Sequence, residues 1–232
     1  MDMELQKILP DFGTSIRSHV YDYVTANKLA NAKHVLFMAG SPAAGKTELL
    51  NRLITEHGLT NIVRIDADDF RWWFPYYNEK NSVDYQKSAS KIVEFVYKKA
   101  LADGFPVVMD STFASKSIAE QNFERAFKQG YLVMLNYVYF DPTQAWTFAQ
   151  ARARTVPLDV LKQNFFRSRE TIEHVLEKYA GKFTLNVYHR RADPYNEGQF
   201  IVDYTSDVTL ETWSTSHYCP YASVSDLAHL GV

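Results

Sequence analysis

The stretch that most constrains this chain is VLFMAGSPAAGKTELL, residues 35–50, where an apolar run breaks into a loop of small residues and then turns basic at Lys46. Gly40, Ser41, Pro42, Ala43, Ala44, Gly45, Lys46 and Thr47 satisfy the spacing G-x-x-x-x-G-K-[ST]. The loop follows an apolar run, HVLFMA (34–39), and opens a helical pattern that stops at Gly58. A loop in that setting sits at a helix N-terminus, where small residues let backbone N–H groups close around an anion that the helix dipole already favours. Lys46 would then bridge the β- and γ-phosphates of a nucleoside triphosphate, and Thr47 would offer its hydroxyl to Mg²⁺. The bland alternative is a tight glycine turn with a solvated lysine, and the flanking strand and helix weigh against it. ATP is the nucleotide expected, although no part of the motif reads the base.

Short apolar runs alternate with longer helical patterns along the rest of the chain. NIVRID (61–66), FPVVMD (105–110), YLVMLNYVYF (131–140) and FTLNVYHR (183–190) have the length and content of buried strands, and QFIVDY (199–204) suggests a sixth. Helices are expected around 15–29, over 46–57, from about Ser82 to Gly104, and from Pro157 to Gly181. Ser117 with Glu120 fits a capping box for a helix ending near Gly130, and Asp141-Pro142 a cap with a first-turn proline. Strand and helix in succession imply an α/β fold of three layers, a mainly parallel sheet with helices on both faces, whose ligands bind at the carboxyl ends of the strands. One domain over 1–232 is expected, with a C-terminal extension from about 205 that carries no chemical signal.

Composition narrows the partners. A formal net charge of −2 over 232 residues gives no global field for gripping nucleic acid. The single cysteine, Cys219, forms no internal disulfide. No apolar run approaches the roughly 20 residues of a membrane span, and the N-terminus does not read as a leader, so a cytoplasmic protein is expected.

The other strand ends carry the chemistry. The second strand runs into RIDADDFRWWFPYY, which sets Asp66, Asp68, Asp69 and Arg71 ahead of an aromatic block. A carboxylate facing the γ-phosphate can accept a hydrogen bond from an acceptor hydroxyl, orient it for in-line attack and take its proton late. Asp68 is the candidate, against the commoner role of an aspartate as turn or helix cap. Arg71 is assigned to the acceptor side with it. The aromatic block reads equally as wall packing or as a stacking platform.

AGSPAAGKT, IDADDFR, a helix bearing Glu94, and VVMDST together resemble the kinase core of the zeta toxins over roughly residues 33–180. The resemblance implies ATP and Mg²⁺, with phosphate transfer to the 3′-hydroxyl of the amino sugar of UDP-N-acetylglucosamine. It makes Asp68 the catalytic base, Glu94 a substrate contact, and Asp110 and Thr112 the acceptor-side residues at the third strand. Asp110 stands where the family has a longer glutamate, so its alternative is a Mg²⁺-coordinating carboxylate. Phe113, Ala114 and Ser115 stand where the toxins place a basic residue. The resemblance also implies a small antitoxin protein as partner.

Phosphoryl transfer needs cations for the charge that spreads over the γ-phosphate oxygens. AQARARTVPLDVL supplies Arg152 and Arg154; Arg154, followed by TVP, matches the second lid arginine of the toxins, and Arg152 matches the first more loosely. Arg167 and Arg169 read as a solvated helix face. TVPLDVL, DADDFR and VYFDP are also similar to the kinase domain of 5′-polynucleotide kinases, which share the Lys46 and Asp68 roles but not the acceptor. Glu94 and Asp110 favour a sugar over a polyanion, because carboxylates accept from hydroxyls and repel phosphates. The reading outside enzymes is a nucleotide-binding module that orders its lid for a protein partner.

Overall fold

A computed structural model describes residues 3–151, 156–193, 195–196, 199–215 and 219–230. The elements are α1 (Met3–Thr25), β1 (His34–Ala39), α2 (Lys46–Glu56), β2 (Val63–Asp66), α3 (Ala67–Arg71), α4 (Ser82–Asp103), β3 (Val107–Asp110) and α5 (Lys116–Lys128). They continue with β4 (Leu132–Phe140), α6 (Pro142–Gln150), α7 (Leu158–Lys178), β5 (Thr184–Ala192), β6 (Phe200–Thr205) and α8 (Leu210–Trp213), then a 3₁₀ turn at Val224–Leu227. All six expected strands form one sheet in the order β2-β3-β1-β4-β5-β6. β1 to β5 are parallel and β6 runs antiparallel to β5.

The strands are apolar on both faces because both faces are covered. Val35 and Phe37 of β1, with Leu135, Tyr137 and Tyr139 of β4, point into a core shared with α1, α4, α5 and α7. Their alternates Leu36, Met38, Val138 and Phe140 meet Leu50 of α2 and Ala145 and Ala149 of α6. Period-2 alternation thus sorts each strand into two hydrophobic layers, giving the three-layer α/β architecture expected. Among the described residues no helix is long and apolar enough to cross a membrane.

Three boundaries differ from the sequence reading. The first helix is Met3–Thr25 rather than 15–29. Pro10 and Gly13 read as breakers, yet Leu9, Val20 and Tyr21 are buried, Gly13 leaves room for the Phe74 ring, and the Tyr21 hydroxyl donates to Asp103 on α4. Tertiary burial outweighs the lost helix bond of one proline. The Ser117–Glu120 capping box does not form: α5 starts at Lys116 behind Ser115, and Glu120 instead pairs with His174 and Lys178 of α7. The C-terminal stretch is part of the core, since Trp213, Leu227 and Leu230 are buried and the Trp213 ring lies 5.5 Å from that of Tyr137. Lys162, buried on α7, donates to the Leu230 carbonyl at 3.1 Å.

Candidate active site

Parallel strands bring β1, β2 and β3 to a common carboxyl edge, and the loops leaving them meet there. Leaving β1, Gly40 has φ +137°, and a Cβ there would lie 2.5 Å from the Val138 carbonyl oxygen, so only glycine fits. Gly45, at φ +92°, ends the loop as the N-cap of α2. Lys46 Nζ donates to the carbonyls of Gly40 (3.0 Å) and Ser41 (2.8 Å), which holds the ammonium over the loop. Ser41 Oγ is buried with no hydrogen-bond partner. A buried hydroxyl without a partner, a loop with no room for a Cβ, and the N-terminus of an 11-residue helix fit a phosphate group.

Thr47 Oγ1 donates to Asp110 Oδ2 at 3.0 Å, which places the hydroxyl of α2 against the buried carboxylate ending β3. Among the described residues no group of three or more His, Cys, Asp or Glu forms a ready metal site. Mg²⁺ held mainly through substrate phosphates needs only one or two protein oxygens, and Thr47 and Asp110 fit that requirement.

Asp66 and Asp110 are register partners on β2 and β3. Arg64 from β2 lies between them, with Nη2 3.2 Å from Asp110 Oδ2 and 3.5 Å from Asp66 Oδ2, and Nε 3.8 Å from Asp69 Oδ2. Burial, then the Asp110 and Asp68 charges, push the Asp66 carboxyl up to about 7. Burial also raises Asp69, against the opposing pull of Arg64. Asp66 accepts the Asp68 N–H at 2.8 Å and caps α3, so the capping role weighed for Asp68 belongs to Asp66. The Asp68 side chain is 52% exposed and accepts from the Arg71 guanidinium.

Arg71 occupies a different place from the acceptor side assigned to it. Its side chain is 2% exposed, its two terminal nitrogens donate to Asp68 and to Gln86 of α4, and its Nε has no partner. It is a buried brace behind Asp68. The aromatic block divides as well: Phe74 and Tyr77 are buried against Tyr85, while Trp72 and Tyr76 are exposed. Tyr76 sits at φ +62°, a strained position for an aromatic residue.

Asp110, Thr112 and Glu94 line one cleft of about 480 Å³ between β3, α4 and α5. The Thr112 carbonyl accepts the Gly40 N–H at 3.3 Å, tying this loop to the phosphate loop. Glu94 pairs with Lys98 at 2.7 Å and Arg125 at 3.1 Å, and these cations hold its carboxyl below the usual range. Arg125 brings from α5 a positive charge that the loop Phe113-Ala114-Ser115 lacks. Neither Arg125 nor Arg64 was visible as a site residue in the sequence, because each reaches the cleft from an element whose placement only the sheet order decides. A larger cavity, about 730 Å³, opens at the opposite, amino ends of the strands and is lined mostly by apolar residues such as Leu59, Ile62 and Phe183. The smaller one holds Asp110, Thr112 and Glu94, the residues assigned from the sequence.

Arg152 and Arg154 lie outside the described residues, between the end of α6 and Val156. Arg167 is exposed on α7 as expected, but Arg169 faces inward over the Phe165 and Trp213 rings at 5.8 and 5.7 Å.

A nucleotide-type phosphate loop on a parallel sheet, with a carboxylate at the next strand end and a second cleft beside it, defines the class: a P-loop protein of kinase architecture. Residues 19–206 match the family model described as zeta toxin, and the chain belongs to the zeta toxin family. It is 23% identical over 215 residues to Toxin PezT of Streptococcus pneumoniae serotype 4, spanning 89% of this chain and 74% of that protein. The solved PezAT chromosomal toxin-antitoxin system of Streptococcus pneumoniae shares the fold at a TM-score of 0.61 and 20% identity, covering 81% of this chain and 80% of that one. The AvrRxo1-ORF1:-ORF2 complex matches at a TM-score of 0.61 and 11% identity, covering 87% and 71%, and its structure with ATP at 0.57 and 12%, covering 86% and 65%.

Proposed function

We propose that this protein is an ATP-dependent kinase that transfers the γ-phosphate to a hydroxyl of a small acceptor, a nucleotide-sugar such as UDP-N-acetylglucosamine. One observation carries the reading: Lys46, the Thr47–Asp110 pair and Asp68 stand at adjacent carboxyl ends of β1, β3 and β2, beside a cleft bearing Glu94 and Thr112. Membership of the zeta toxin family supports it, and so does the solution of the related AvrRxo1 complex with ATP.

The loop amides and Lys46 hold the β- and γ-phosphates, and bound Mg²⁺ would neutralise charge on their oxygens. The acceptor hydroxyl enters from the cleft and donates to Asp68. Its oxygen bonds to the γ-phosphorus as the bond to the β-bridging oxygen breaks, ADP leaves, and the hydroxyl proton passes to Asp68. Arg152 and Arg154 are proposed to carry the compensating charge from the lid. Glu94 and Thr112 are proposed to bind acceptor hydroxyls, and the Arg125 guanidinium suits an acceptor that also bears an anion, as a UDP-sugar does. A toxin of this family is further proposed to pair with an antitoxin, as the PezAT system does.

The deciding experiment follows labelled γ-phosphate from ATP with Mg²⁺ onto a panel of UDP-sugars and onto 5′-hydroxyl oligonucleotides. The expected result is label on a UDP-sugar, lost in Lys46→Ala and reduced at least ~100-fold in Asp68→Asn with ATP binding retained. Label on the oligonucleotide alone would move the protein to polynucleotide kinase chemistry. Wild-type turnover in Asp68→Asn would remove Asp68 from the mechanism, and no label on any acceptor would favour a nucleotide-binding module.

A further inference from the structure

Arg190, near the end of β5, has no part in the chemistry above, yet it lies against the phosphate loop. The strand order puts β3 on one side of β1 and β4, then β5, on the other. Thr47 and Asp110 meet on the β3 side, where the proposed function places the metal and the terminal phosphates. On the proposed function, with the metal and terminal phosphates on the β3 side, the rest of a bound nucleotide extends across the amino end of α2, toward β4 and β5. Arg190 stands on that path, its Nη1 3.4 Å from the Ala44 carbonyl oxygen. A Cβ on Gly45 would also meet the same nitrogen, so the guanidinium packs directly against the loop where it turns at a φ of +92°.

Three rings from three elements hold the guanidinium there. Its Cζ lies 3.7 Å from the centroid of Phe200 on β6, 4.7 Å from Phe140 on β4 and 5.8 Å from Phe148 on α6. The rings also pack on one another at 5.3–5.9 Å. Aromatic rings within about 6 Å attract a guanidinium and restrict its motion without removing its charge. A cation placed in this way has already lost its rotamer freedom, so little ordering cost opposes its contact with an anion.

We infer that Arg190, clamped by Phe140, Phe148 and Phe200, is a nucleotide-binding residue that contacts the α-phosphate side of a nucleoside di- or triphosphate. The inference rests on the phosphate-loop reading. It makes the aromatic clamp a positioning device for a second cation, on the side of the loop away from the acceptor.

The test is ATP and ADP binding by titration calorimetry, with steady-state kinetics, for wild type, Arg190→Ala, Arg190→Lys and Lys46→Ala. Arg190→Ala should weaken both nucleotides at least ~10-fold, about 1.4 kcal/mol. It should raise KM for ATP by a similar factor with kcat at saturating ATP within ~2-fold of wild type, a split that a general loss of structure would not produce. Arg190→Lys, which keeps the charge but not the planar fork, should recover part of the affinity. If Arg190→Ala does not fold, Arg190→Gln removes the charge at similar size, and the same loss is expected. Either neutral variant binding ATP within ~2-fold of wild type overturns the assignment while leaving the phosphate loop intact. A wild type that binds no ATP would instead bring down the phosphate-loop reading and this inference with it.

Discussion

Asp66 is the site where charge should be most costly to the folded chain. Its side chain is 13% exposed, and burial together with Asp110 and Asp68 raises its carboxyl from 3.8 to about 7. For an acid raised on folding, the native state binds more protons than the unfolded state between those values. Its stabilising contribution is therefore whole below 3.8, is lost as pH rises toward 7, and is level above that. One pH unit inside the window is worth about 1.4 kcal/mol, so pH 5 to 7 spans about 2.7 kcal/mol at most. The Arg64 contact at 3.5 Å offsets some of this, which leaves roughly 2 kcal/mol. Asp66→Asn keeps an oxygen to accept the Asp68 N–H and cannot ionise. We predict that its stability advantage over wild type grows by roughly 2 kcal/mol between pH 5 and pH 8, measured by urea unfolding in EDTA. A difference between the two proteins that is equal at both pH values, or one that shrinks by pH 8, would refute the reasoning.

Other perturbations test the remaining parts of the site. Arg71→Lys keeps the buried charge but loses the two-pronged contact with Asp68 and Gln86; kcat should fall about 10-fold with KM for ATP unchanged, and an unchanged kcat would show that Asp68 is placed without it. Gly40→Ala forces a Cβ against the Val138 carbonyl at a positive φ, so thermal unfolding should report a loss of roughly 2 kcal/mol together with failed ATP binding; wild-type melting would mean the loop relaxes freely. Trp213→Ala removes a buried ring from the C-terminal segment and should cost about 3–5 kcal/mol in denaturant unfolding, whereas a change under about 0.5 kcal/mol would make that segment a loose appendage.

The strands and the phosphate loop were legible in the sequence because both are local. Period and length mark a buried strand, and the loop's glycines and lysine act within eight consecutive residues. Helix ends with a left-handed glycine, such as Gly104 closing α4, could be read for the same reason. The start of α1 could not, since Pro10 and Gly13 oppose a helix locally and only the buried contacts of Leu9 and Phe74 overrule them. Ser117 and Glu120 had the spacing of a cap, but Glu120 found stronger partners on α7.

Within the site the division has the same cause. Lys46, Thr47 and Asp68 are positioned by the turn each belongs to, so their spacing already marks them. Arg71 looked like an acceptor contact and proved to be a buried brace, because sequence spacing does not say which face of a short helix meets α4. Arg64, Arg125 and Arg190 carry no motif. They matter only once the order β2-β3-β1-β4-β5-β6 carries β2 beside β3, α5 beside the cleft and β5 past the phosphate loop. Local backbone chemistry marks the groups proposed to hold a phosphate; the pairing of distant strands decides which charges stand around them.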